Sequence, residues 1–265
     1  MRLKITHTTQ YHYDAPVAYA LQRLRLVPLD DQTQKIAEWA LEIEGAKQEV
    51  RFADQFGNDT RLISVEGGSH TISVHAHGEV ETSDTTGIVG PHRGFAPLWL
   101  FRRQTGLTEP GKGVDELLSG MPDGARDVGW LHELVKRIRD KVAYEVGMTH
   151  AGTTAEEAWK QGSGVCQDHA HIFLSAARKA GLPARYVSGY LLIGGTTDQV
   201  ASHAWAEAHL DGLGWVGFDT SNGISPDERY VKLATGRDYR DAMPISGIRL
   251  GTANERLEVR ITVEQ

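Results

Sequence analysis

Apolar residues recur at every second position through the first ninety or so residues, and at every third or fourth position from about residue 127. No single element satisfies both spacings, because side chains alternate faces along a strand and return to one face after 3.6 residues on a helix. The chain therefore folds into two differently built regions. The segments RLKITHTTQYHY, QRLRLVPL, AEWALEIEG, QEVRFADQFGN, TRLISVEGG and HTISVHAHGEVET carry the strand pattern, and DAP, DD, GAK, FGND and EGGS punctuate them as turns. This predicts an antiparallel β-sandwich over residues 1–92.

Prolines and glycines interrupt both patterns through residues 93–126, which read as a connector with one short helix. Asp127 then suits an N-cap, and Trp130, Leu131, Leu134, Val135, Ile138 and Val142 form one apolar stripe. A shorter helix follows in TTAEEAWKQG, where Thr153 with Glu156 or Thr154 with Glu157 can form a capping box. A third begins at or beside Cys166, with Ala170, Phe173, Leu174 and Ala177 on one face. Gly181 fits its left-handed end, and Pro183 forbids continuation. Strands ARYVSGYLLI, SHAWAEAHL, WVGFDT and RLEVRITVE complete the chain. Residues 127–265 are thus expected to form an α+β core with an antiparallel sheet, its last strand, 255–264, being a candidate to pair with another sheet.

With 265 residues, 40% of them hydrophobic and 24% charged, the composition is that of a globular protein, and a net charge of −7 argues against nucleic acid as the main partner. One cysteine makes no internal disulfide. The opening MRLKITHTTQYHYD lacks the apolar core of a signal peptide, and no apolar run reaches membrane-spanning length. These features predict a cytoplasmic protein without a membrane partner.

The lone Cys166 sits in GSGVCQDHAH, at the start of the third helix. Unpaired backbone N–H groups and the helix dipole stabilise a thiolate there. Gly162 and Gly164, just upstream, are expected to open a path for a substrate to the sulfur. A buried cysteine is more often a small hydrophobe, so reactivity requires a base and an orienting group that converge on it. In SHAWAEAHL, His203, Trp205, Glu207 and His209 share one strand face and the alanines share the other. The chain then turns at DGLG and returns as WVGFD, ending at Asp219. Asp219 shares a face with His203 only if the numbers of facing residues have an even sum, a parity condition; a sum of 424 sets Asp219 diagonal to His203 and needs a three- or five-residue loop. A plain two-residue turn would place the two on opposite faces.

These residues, in this order, resemble the transglutaminase-like superfamily. GVCQDHAHIFLSAARKAGLPARYVSGYL is similar to its nucleophile helix and following strand, SHAWAEAHL to its histidine strand and GWVGFDTSNG to its aspartate strand. THTTQYHYDAPVAYALQRLRLVPL and DQFGN resemble the β region that precedes the core in bacterial members. The resemblance implies a papain-like core in which Cys166 is the nucleophile, His203 the general base and acid, and Asp219 the orienting carboxylate. It implies a thioester acyl-enzyme formed from an amide of a peptide, protein or small molecule. Water would resolve it in a peptidase or amidase, an amine in a crosslinking enzyme; a non-enzymatic binding protein on the same fold is the competing class. His169 stands where family members commonly carry Phe.

Around these residues, Asp168 is expected to complement the free N–H groups of its helix. Trp205 serves as a wall or as packing, and Glu207 and His209 as polar support. His171, five residues past Cys166, points away from it, so no Cys-His-His metal set is expected. His70, His75 and His77 cluster in HTISVHAHGE, but strand histidines with no fitting carboxylate beside them read as incidental. Neither metal nor cofactor is expected. Gln161 and Tyr144 are the candidates to join the Cys166 N–H in an oxyanion hole.

Overall fold

The structure is a computed structural model that describes residues 1–194, 198–199 and 201–265. Fourteen strands are described: β1 (Arg2–Leu24), β2 (Gln34–Glu44), β3 (Lys47–Ala53), β4 (Asp59–Thr82), β5 (Ile88–Gly90), β6 (Ala143–Tyr144), β7 (Ser163–Gly164), β8 (Ala184–Leu191), β9 (Asp198–Gln199), β10 (His203–Leu210), β11 (Gly214–Phe218), β12 (Tyr230–Gly236), β13 (Ile245–Leu250) and β14 (Glu255–Glu264). The α-helices are α1 (Lys112–Ser119), α2 (Val128–Lys141), α3 (Ala155–Gln161), α4 (Cys166–Lys179) and α5 (Tyr239–Ala242). The fold is α+β with two antiparallel sheets.

The larger sheet has seven strands in the order β2-β4-β1-β14-β9, with β13 also on β1 and β3 also on β4. Asp14-Ala15-Pro16, expected as a turn, instead lies inside one long strand. So do Gly67 and Gly68, which occupy the matching level of β4, where the register shifts between His12 and Val17 and again before Tyr19. Both strands break step together here. Proline cannot donate to a ladder and Gly68 is left-handed with φ 105, so the irregularity falls where each residue is tolerated. On either side of it, Leu3, Ile5, Val74 and Val80 and then Ala20, Leu24, Ile63 and Val65 bury their side chains in one apolar cluster, joined by Tyr190, Val231 and Leu233 of the second sheet.

That second sheet runs β12-β8-β10-β11-β5. Its Ala204, Ala206 and Ala208 face helices α2 and α4, packing against Leu134, Ile138, Phe173 and Phe218 in a separate cluster. The small side chains let α4 lie close on the strand. Helix ends follow the sequence: Asp127 Oδ1 accepts from the Trp130 N–H at 2.9 Å, Thr154 and Glu157 form the capping box, and Gly181 takes φ 92 after α4.

Sheet membership crosses the expected boundaries. Residues 88–90, assigned by pattern to the N-terminal region, pair with β11 at the edge of the second sheet. Conversely, β13 and β14 pair with β1 along residues 19–24 and 4–13. A strand as long as β1 exposes a long edge, and these returning strands cover it. Residues 93–126 are more than a connector: Phe101 packs with Phe56 and Trp215, and buried Arg178 of α4 donates to the Phe101 carbonyl at 3.1 Å and to Thr108 Oγ1 at 3.0 Å.

Candidate active site

Helix α3 ends at Gly162, whose φ of 75 is left-handed, and the two-residue strand β7 pairs with β6 before the chain enters α4 at Cys166. Cys166 is half-buried. As the first helical residue it contributes an N–H with no partner inside the helix. Gly164 serves a different purpose from the expected one. A Cβ there would lie 2.6 Å from Asp168 Oδ2, so the missing side chain makes room for that carboxylate. Asp168 is 1% exposed and accepts from the Val165 N–H at 2.8 Å and Thr149 Oγ1 at 2.6 Å. It ties the helix start together, in the structural role expected of it.

His203 opens β10 and Asp219 follows β11. The pairs between these strands run from Leu210 with Gly214 to Ala206 with Phe218, each summing to 424. The loop has three residues, Asp211 to Leu213, with Gly212 and Gly214 both left-handed at φ 82 and 79. The parity condition holds. His203 Nε2 lies 2.6 Å from Asp219 Oδ2, with side-chain exposures of 11% and 0%.

Asp219 is surrounded by donors. Oδ2 also accepts from Asn222 Nδ2 and the Tyr230 hydroxyl, each at 2.7 Å, while Oδ1 accepts from Ser221 Oγ at 2.7 Å and the Asn222 N–H at 3.1 Å. Burial by itself would push the carboxyl up, but the bonds from His203, Asn222 and Ser221 outweigh it and hold Asp219 well below the usual carboxylate range. Burial likewise opposes charge on His203, yet the hydrogen bond to Asp219 and the nearby Cys166 and Asp219 charges raise it from 6.5 to about 10. The imidazole is thus bonded to Asp219, with Cys166 near enough for its charge to act on the ring. Asp219 takes Nε2, which leaves Nδ1 free of that bond. Trp205 stacks on the ring with centroids 6.2 Å apart, and Tyr230 stands 5.9 Å away. Gly189 lets the indole close in, because a Cβ there would sit 2.6 Å from Trp205.

The remaining sequence candidates divide clearly. Glu207 is 1% exposed and pairs with Arg185, with its Nε at 2.6 Å, and with Lys232 Nζ at 3.5 Å, so it is structural support. His209 packs edge-on against Trp215 at 5.3 Å. His171 is buried and accepts from the Tyr239 N–H at 3.2 Å; burial and the nearby Arg178 and Arg240 charges lower it to about 3, so it is a neutral core histidine. His169 is buried too, with ring nitrogens 2.9 and 3.0 Å from the carbonyl oxygens of Val165 and Val142. Gln161 donates to the Met148 carbonyl at 2.9 Å, which commits its amide to a loop. Tyr144 feels burial first and then the charges of Cys166 and Asp219, all raising its hydroxyl. Ser221, Asn222 and Tyr230 were not singled out from sequence. The run DTSNG carried a signal for the first two, since aspartate heading a turn accepts from residues two and three further on.

A cysteine at a helix start, with a histidine bonded to a buried aspartate on adjacent antiparallel strands, belongs to a papain-like fold. The chain belongs to the transglutaminase-like superfamily: residues 124–220 match the transglutaminase-like superfamily core and residues 3–81 match the bacterial transglutaminase-like N-terminal region. An uncharacterised protein of Mycobacterium leprae is 27% identical over 280 residues, covering 99% of this chain and 98% of that protein. An uncharacterised protein of Mycobacterium tuberculosis is 28% identical over 292 residues, covering 99% and 92%. Among solved structures, a "putative cysteine protease" from Cytophaga hutchinsonii shares the fold with a TM-score of 0.75 at 22% identity, over 100% of this chain and 91% of that one.

Proposed function

We propose that the protein is a cysteine-dependent amide hydrolase in which Cys166 is the nucleophile, His203 the proton carrier and Asp219 the orienting carboxylate. The observation that carries this reading is the 2.6 Å bond from His203 Nε2 to fully buried Asp219, on a ring raised in part by the charge of Cys166 at the start of α4. The Cys166 sulfur attacks the amide carbon, the C–N bond breaks, and His203 passes a proton to the leaving amine. Water then attacks the thioester, giving its proton to His203, and the carboxylic acid leaves as the sulfur is restored. Asp219 fixes the ring orientation and stabilises the imidazolium throughout.

The Cys166 N–H and the Tyr144 hydroxyl are the proposed oxyanion donors; Gln161 is committed elsewhere. The substrate class is a peptide, protein or small amide, with water as acceptor, and the proposed setting is the cytoplasm. Among the described residues no helix is long and apolar enough to cross a membrane. Screening peptides and amides for ammonia or amine release, with Cys166→Ala as control, tests the reading. Release accompanied by a thioester adduct on Cys166 in the mass spectrum supports it. Activity that survives Cys166→Ala rejects it, and incorporation of an added amine in place of release shifts the assignment to acyl transfer.

A further inference from the structure

On sequence His75 and His77 lack a carboxylate partner, and strand pairing supplies one. Glu42 of β2 lies directly across from His75 of β4, with His77 on the same face two residues further along. Their ligand atoms all lie within 4.8 Å of one another. His77 Nε2 and Glu42 Oε1 are 3.4 Å apart, close to the separation of about 3.3–3.4 Å between two donors held tetrahedrally by one zinc ion at its usual bond lengths.

A third strand contributes the orienting contact. Thr8 of β1 stands opposite His75, and its hydroxyl lies 2.8 Å from His75 Nδ1. With the Nδ1 proton donated to that oxygen, Nε2 keeps its lone pair for a ligand. Metal-binding histidines are fixed in this way through the nitrogen that does not bind. The three side chains occupy the sheet face opposite buried Val74 and Ala76, half-buried at the histidines and exposed at Glu42.

We infer that Glu42, His75 and His77 form a site for one divalent transition ion of the zinc type, with water completing its coordination. Two imidazoles and one carboxylate suit zinc and its neighbours, whereas magnesium and calcium take oxygen ligands. The ion would join β2 to β4, away from Cys166 and independently of the proposed amide chemistry.

Equilibrium dialysis against zinc chloride tests this on the full chain carrying Cys166→Ala, which removes the thiol as a competing ligand. One saturable zinc per chain is expected. Affinity should fall by more than about tenfold on adding His77→Ala or Glu42→Gln, and by about tenfold with Thr8→Val. Zinc should raise the melting temperature of the parent but not of the His75→Ala, His77→Ala double variant, while the two melt alike without metal. Absence of saturable binding by the parent, or equal binding by the folded double variant, overturns the inference, as does competition by magnesium as effective as that by nickel.

Discussion

Two buried carboxylates stand beside the candidate site, one at the start of α4 and one after β11, and they are driven in opposite directions. Asp219 is 0% exposed and accepts five hydrogen bonds, from His203, Tyr230, Ser221 and twice from Asn222. Asp168 is 1% exposed and accepts only from Val165 and Thr149, its Oδ1 having no partner among the described residues. Asp219 is held low, while burial, only partly offset by those bonds, raises Asp168. Equal burial thus gives unlike carboxylates, and the number of donors decides which one keeps its charge. Negative charge is favoured where it faces the imidazole and disfavoured at the start of α4.

Removing the favoured charge should have the largest effect. Asp219→Asn leaves the shape nearly intact but cannot stabilise an imidazolium, and kcat/KM in an amine-release assay should fall by about 10⁴-fold. The same variant should also change the pH profile. His203 stays protonated up to about 10, so kcat/KM should hold through mildly alkaline pH and decline only as the ring loses its proton. In Asp219→Asn this alkaline limb should move down toward the ordinary histidine range.

Substitutions around the two carboxylates should have smaller effects. Gly164→Ala places a methyl 2.6 Å from Asp168 Oδ2 and should cost about 1–3 kcal/mol in urea unfolding. Tyr230→Phe removes one of three donors on Asp219 Oδ2 and should cost about 1 kcal/mol, with a modest loss of kcat. Asp168→Asn should matter least. Because its folded value is raised, Asp168 favours the folded state below its ordinary range, and this contribution is lost as pH rises through the folded value. The neutral amide should therefore leave the melting temperature at neutral pH unchanged or slightly higher. Asp219 has the opposite sign, and its contribution is lost as the solution is acidified below the carboxylate range.

What could be read in advance was local or set by parity. The Asp127 and Thr154 caps, the Gly181 terminus and the 424 register of the β10–β11 hairpin each depend on residues close in the chain. Long-range pairing was not readable in the same way. Pro16 and the Gly67-Gly68 pair signal turns when read singly, and only their meeting across β1 and β4 makes them a shared irregularity. Tyr230 arrives at Asp219 from another strand, and Glu42 arrives at His75 and His77 likewise, with nothing in either local sequence to announce it. The glycines before Cys166 were legible as special positions but not in purpose, since the neighbour of Gly164 is a side chain of the following helix.

In the proposed mechanism His203, charged and held by Asp219, activates the Cys166 sulfur. Iodoacetamide alkylation of Cys166 near neutral pH measures it without knowledge of the substrate. A rate above that of a model thiol is expected in the native chain, slowed in both His203→Ala and Asp219→Asn while each remains folded. A native rate no faster than the model thiol, or one unchanged by His203→Ala, would contradict it.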